Sequence, residues 1–166
     1  VCDSAETFEF APAYGLVVAA ESIHWMEWDE AMPKIAASLS PSAFLAIVNG
    51  RDIHDLPWQA ELAKLIRRFS TNRDYVPYDP IEELTSRGLF QAIGRQTIQS
   101  GRTGQPIEDY IGSFHTRNGF SRNRMSSEDA GDFDAALRSL VRSHDAEGIV
   151  RGEMNTSVVW GVPAAA

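Results

Sequence analysis

Eight consecutive residues hold most of the chemistry this sequence offers: Glu21-Ser22-Ile23-His24-Trp25-Met26-Glu27-Trp28. Two carboxylates, a hydroxyl, an imidazole and two indoles crowd into one short segment. An imidazole changes charge near neutral pH and can accept or give a proton there. Indoles supply broad apolar faces with one polar handle. The segment directly follows Tyr14-Gly15-Leu16-Val17-Val18-Ala19-Ala20, a continuous apolar run between Pro12 and Glu21. Continuous rather than alternating apolarity suits a strand covered on both faces, as in a parallel sheet. In an open α/β sheet, ligands bind outside the carboxyl ends of the strands. That rule makes Glu21 to Trp28 a candidate site. The plainer reading makes Trp25 and Trp28 core residues and His24 a satisfied loop residue, and position alone does not choose between the two.

The elements that must position this segment follow from periodicity. Trp28, Met32, Ile35 and Leu39 recur at helical spacing, which predicts a helix with Asp29 as cap and Pro33 near its first turn. Ser40-Pro41-Ser42 then leads to a second apolar run over 43–48, so strand, helix and strand form a βαβ unit. Further helices are predicted from Trp58, Leu62, Leu65 and Phe69, from Pro80 to a stop at Gly88, and from Ile107, Tyr110, Ile111 and Phe114. Ser126-Ser127-Glu128-Asp129 reads as the cap of a helix carrying Phe133, Leu137, Leu140 and Val141. Residues 90–100 read as a strand closed by a turn at Gly101 and Gly104, and 157–162 as a last strand before a frayed end at Ala164 to Ala166. The fold class is α/β, with two adjacent parallel strands and a final strand pair that could be antiparallel.

Composition narrows the function classes. The 166 residues suffice for one domain. Fifteen Lys and Arg stand against 23 Asp and Glu, a net charge of −8, so nucleic acid is not expected as a partner. The single Cys2 excludes an internal disulfide and a Cys-rich metal site, and fits a reducing cytoplasm. His24, His54, His115 and His144 lack metal-ligand spacing, so no metal is expected. The apolar runs are too short to span a bilayer, and no membrane partner is expected. Hydrolysis by His24 with Asp29 or Glu27 lacks a nucleophile motif, since no Gly-x-Ser-x-Gly elbow occurs.

One family matches several of these segments in order. Ser4-Ala5-Glu6 resembles the loop after the third strand of class I S-adenosylmethionine-dependent methyltransferases of the common small-molecule type. Residues 14–25 resemble their fourth strand and acceptor loop. Leu39-Ser40-Pro41-Ser42-Ala43-Phe44-Leu45-Ala46-Ile47 resembles the Leu-x-Pro-Gly-Gly turn into the fifth strand, with Ser42-Ala43 where the glycines usually stand. The resemblance implies a partial Rossmann-like methyltransferase sheet, fourth to seventh strands, with a helical substrate-cap insertion at about 51–88 and 105–145. It implies S-adenosylmethionine as cofactor, with Ser4, Ala5 and Glu6 against the adenine and Ala20, Glu21, Ser22 and Ile23 beside the methionine part. His24 and Trp25 would face the acceptor. The family's glycine-rich turn after the first strand is missing, and Gly-x-Gly occurs nowhere. With residue 1 a Val, the expectation is a single incomplete domain over 1–166, the C-terminal part of the fold, inactive alone. It should expose an apolar sheet edge along 16–20, through which a dimer could form.

Methyl transfer asks the protein mainly to hold donor and acceptor in line in a dry pocket. For a hydroxyl or amine acceptor, His24 is the best-placed general base. For a carboxylate no base is needed and a cation should grip it; Arg117, Arg122 and Arg124 could serve, or could be a solvated connection. Tyr110, Phe114 and His115 share a helix that could close over the acceptor, or simply pack. The expected partner is a small-molecule methyl acceptor. The alternative is a non-catalytic binding or regulatory module on a degenerate methyltransferase fold.

Overall fold

Apolar runs became strands and helical stripes became helices along most of the chain. A computed structural model describes residues 3–50 and 52–164, with Ser100 described in its backbone only. Cys2 and the last two residues of the expected frayed end, Ala165 and Ala166, lie outside the described residues. In order come β1 (Tyr14–Ala20), a 3-10 turn (Ile23–Trp25), α1 (Trp28–Ser38), β2 (Leu39–Asn49), β3 (Ile53–His54), α2 (Gln59–Phe69) and α3 (Pro80–Ser86). Then follow β4 (Phe90–Pro106), α4 (Ile107–His115), a 3-10 turn (Asn118–Phe120), α5 (Ser127–His144) and β5 (Ile149–Pro163). No described helix is long and apolar enough to cross a membrane. The chain forms two compact units, one of Val1–Arg51, Pro77–Gln99 and Asn155–Ala166, the other of Asp52–Val76 and Ser100–Met154. Both β4 and β5 pass from one unit to the other. The helical segments expected at about 51–88 and 105–145 fall largely in the second unit, while α3 belongs to the first.

In the first unit β1 and β2 are parallel, with Leu16 opposite Phe44 and Ala20 opposite Val48. β5 runs antiparallel to β2, with Leu45 opposite Gly161 and Asn49 opposite Ser157. The connecting α1 buries Trp28, Met32 and Ile35 in one cluster with Ala19, Leu45, Ile47 and Val159, joined by Ile81 and Leu84 of α3. Two local expectations are corrected. Asp29 does not cap α1; the cap position is Glu27, which makes no side-chain cap bond. The Asp29 carboxylate instead takes Arg87 Nη2 at 2.7 and 2.6 Å. Ser40-Pro41-Ser42 is not a turn before the strand but lies inside β2, which starts directly after α1. Ser42 adopts a left-handed backbone, φ +69°. The register with β1 slips between Tyr14 and Leu16, which absorbs the extra residues. The Gly88 stop is a true one. Leu89 N–H donates to Leu84 O and Gly88 N–H to Thr85 O, with Gly88 at φ +70°, the paired closure of a Schellman motif.

Among the described residues β1 pairs with β2 alone. Ala19 faces the core, whereas Leu16 and Val18 are 55% and 54% exposed. The strand has no charge and no Pro to blunt its open edge. The proposal that copies pair through this edge predicts concentration-dependent association by sedimentation, abolished in Val18→Lys. Equal sedimentation of the two proteins would remove the edge from the explanation.

The second unit is built on rings. Phe69 of α2, Phe114 of α4, Phe120 of the second 3-10 turn and Phe133 of α5 share one core with Leu62, Ile111, Leu137 and Val141. Ser126 caps α5 as its spacing predicts: its Oγ accepts from Asp129 N–H at 3.0 Å and donates to the Asp129 carboxylate at 2.7 Å. The expected turn at Gly101 and Gly104 is also corrected. β4 runs unbroken through both, and Gly101 only adopts φ +71° within it. β3, two residues long, pairs antiparallel with β5 through Ile53 and Met154, and is too short to show any period.

Candidate functional site

The turn after β1 is tied at both ends. Glu21 has a left-handed backbone, φ +49°. Its N–H donates to Val48 O at 3.0 Å, and its Oε1 accepts from Gly50 N–H at 2.7 Å. Two residues on, Ile23 is fully buried, and the Trp28 indole N–H donates to the Ile23 carbonyl at 2.6 Å. Between these ties His24 and Trp25 stand out from the surface. Their ring centroids are 5.1 Å apart at 44°, and Trp25 is 63% exposed. The two indoles therefore have opposite roles: Trp28 is core and Trp25 is not. β1 and β2 are parallel, so the turn lies at the carboxyl ends of both, where the strand rule points. No carboxylate bonds His24 among the described residues, and Asp29 is held by Arg87. Among the described residues no carboxylate therefore orients the imidazole as hydrolytic chemistry would need.

Ser4, Ala5 and Glu6 form a loop fastened to the start of α1. Glu6 Oε1 accepts from Glu27 N–H at 2.8 Å, and the Lys34 ammonium donates to the Glu6 carbonyl. The Glu27 N–H holds the Glu6 carboxyl below its usual range. Ser4 Oγ is bonded to Thr7 Oγ1 at 2.7 Å. A groove of about 590 Å³ is lined by Phe8, Phe10, Pro12 and, from the C-terminal half of α1, Lys34 and Ala37.

Of the seven residues expected beside the cofactor, Ser4, Ala5, Glu6, Ala20, Glu21, Ser22 and Ile23, several are already engaged within the chain. The carboxylates of Glu6 and Glu21 and the Ser4 hydroxyl are spent inside the chain, and Ile23 is fully buried. Ala5 and Ser22 are half-buried, and Ala20 is exposed.

Tyr110, His115 and Arg117 belong to the second unit, each engaged within it. Tyr110 is buried, with Trp58 and Phe114 edge-on at 6.1 and 5.4 Å. Burial pushes its phenol up to about 12, so it stays neutral. His115 Nδ1 donates to Phe120 O at 2.8 Å, and its Nε2 lies 2.7 Å from Asp134 Oδ1. Arg122 holds the other Asp134 oxygen at 3.0 Å. Arg117 pairs with Asp52 at 2.7 Å and lies over the Phe114 ring at 4.2 Å. Arg124 bonds the Asn118 amide oxygen. Sequence reasoning missed Asp52 and Asp134, which lie 65 and 19 residues from their partners, beyond any local pattern. It also missed Gly50 as the partner of Glu21. The one trace in the sequence is the glycine itself; its φ of +138° belongs to the structure.

No family model and no curated protein matches the sequence. Solved structures do match. A candidate type II methyltransferase from Anaeromyxobacter dehalogenans is similar with a TM-score of 0.56 and 18% identity, over 96% of this chain and 70% of that one. A candidate methyltransferase from Bacillus halodurans gives 0.50 and 10%, over 98% and 70%. Haemonchus contortus phosphoethanolamine N-methyltransferase 2, solved with phosphomonomethylethanolamine and S-adenosylhomocysteine, gives 0.40 and 17%, over 98% of this chain and 36% of its own. That last likeness is too loose to carry an inference. The fold is the Rossmann-like fold of class I S-adenosylmethionine-dependent methyltransferases.

Proposed function

We propose that this chain is the acceptor side of an S-adenosylmethionine-dependent methyltransferase acting on a small molecule. The observation that supports this reading is the exposed His24–Trp25 pair, presented at the carboxyl ends of two parallel strands on a methyltransferase fold. His24 takes the proton from a hydroxyl or amine acceptor as it is methylated, and Trp25 lays its indole face along the acceptor and sheds water from it. The donor is held mainly by a glycine-rich turn that these 166 residues do not contain. The chain alone is therefore expected to bind S-adenosylmethionine poorly. Its own contribution to that site is the small surface of Ala20 and Ser22.

The deciding experiment reads the coding frame upstream of Val1. The reading expects an open frame through a strand, a Gly-x-Gly-x-Gly turn and a second strand ending in Asp or Glu. A stop codon followed by a start signal directly before Val1 would sink it. A second reading, a non-catalytic binding module, is favoured by one observation: the polar groups expected to hold the cofactor are already satisfied inside the chain. It gains if no donor binding is found in any longer product.

A further inference from the structure

We propose that Glu21 is a positioning residue whose carboxylate clamps the end of β2 and so sets where His24 and Trp25 stand. For its relevance to catalysis this rests on the reading above; the clamp itself does not. Glu21 reaches β2 twice, through its N–H to Val48 O and through its carboxylate to Gly50 N–H. A backbone amide bonded to a charged oxygen is a strong tie. The left-handed backbone of Glu21 is one that side-chain-bearing residues avoid, and it persists where surrounding contacts over-determine it. Gly50 is in turn locked against β5. A Cβ there would sit 2.1 Å from Asn155 O and 2.5 Å from Thr156 Cα, so nothing larger than glycine fits. The ends of β1 and β2 thus meet the middle of β5 at one point, three residues before the exposed imidazole. Asn155 Oδ1 is buried there without a hydrogen-bond partner among the described residues. With its carboxylate engaged, Glu21 shapes the site without touching what binds there.

The test uses the full chain and three variants. Glu21→Gln keeps an acceptor at the same reach. Glu21→Asp keeps the charge but is one methylene short. Glu21→Ala removes both. Two readouts are taken by nuclear magnetic resonance: amide hydrogen exchange at Gly50, and the His24 ring and Trp25 indole signals. In Glu21→Ala and Glu21→Asp, Gly50 exchange should quicken about tenfold or more, and the His24 and Trp25 signals should shift or broaden. The His115 ring and Trp58 indole of the second unit should stay in place, which a general loss of stability would not allow. Glu21→Gln should restore all of these. Unchanged Gly50 protection in the Asp variant would overturn the clamp. Faster exchange with unmoved His24 and Trp25 signals would overturn the positioning role. If the Ala variant does not fold, the Asp and Gln pair decides alone. Failure of the methyltransferase reading shows in the upstream frame and in donor binding, and leaves these signals untouched.

Discussion

Replacing His24 with alanine, in a protein that carries this chain together with a glycine-rich cofactor turn, is expected to slow methyl transfer to a hydroxyl or amine by about 10²–10⁴-fold. The size follows from the role. A base that removes the acceptor's proton acts at the transition state and contributes little to binding. The loss should fall on kcat, with the affinity for S-adenosylhomocysteine unchanged. The imidazole is exposed at the strand ends, so its removal leaves no cavity and should cost little stability. Two controls separate the possibilities. A carboxylate acceptor needs no base, and its methylation should survive the substitution. His24→Gln keeps polarity without basicity and should behave like alanine. A hydroxyl or amine acceptor methylated within threefold of the normal rate by His24→Ala would take the base role away from His24.

Phe133→Ala is expected to destabilise the second unit by about 3–5 kcal/mol. The ring is fully buried on α5. It meets Phe120 at 4.7 Å, Phe114 at 5.3 Å, Phe69 at 5.8 Å and the His115 ring at 6.1 Å. These contacts arrive from α2, α4 and the 3-10 turn, so no single neighbour can move in to fill the space. Edge-on ring pairs also add to simple area burial. Urea unfolding followed at the Trp58 indole should show the midpoint shift. Phe133→Leu should recover part of the loss by refilling volume. At the exposed Tyr75, 57% accessible, the same truncation should change stability by no more than about 0.5 kcal/mol. A loss below 1 kcal/mol at Phe133 would mean that the ring cluster is not a packed core.

What could be read in advance was local. β1 was legible to the residue, because seven apolar positions in a row admit few other structures. The helices over Trp28, Trp58, Pro80, Ile107 and Ser127 were legible because their stripes repeat within a turn or two. Ser126 and Gly88 announced their caps because a cap is satisfied within five residues. The His24–Trp25 position was legible because strand direction follows from a βαβ unit. What failed was local reasoning applied to non-local facts. Gly101 and Gly104 look like a turn, yet β4, which pairs with β5, runs through both. Asp29 looks like a cap, yet Arg87, fifty-eight residues away, claims its carboxylate. Ser42 looks like a turn residue, yet β1 and β2 absorb it as a slip in register.

The amino-acid order by itself determined the α/β class, the parallel pair and the placing of an imidazole and an indole at its carboxyl end, since apolar periodicity and chain direction act over a few residues. Only the tertiary structure decided which polar groups remain available there. A carboxylate is bound or spent according to which backbone N–H lies within 3 Å of it. The N–H that takes Glu21 belongs to Gly50, twenty-nine residues on, and the one that takes Glu6 belongs to Glu27, twenty-one residues on. Those neighbours are set by the folding of β1, α1 and β2 upon one another.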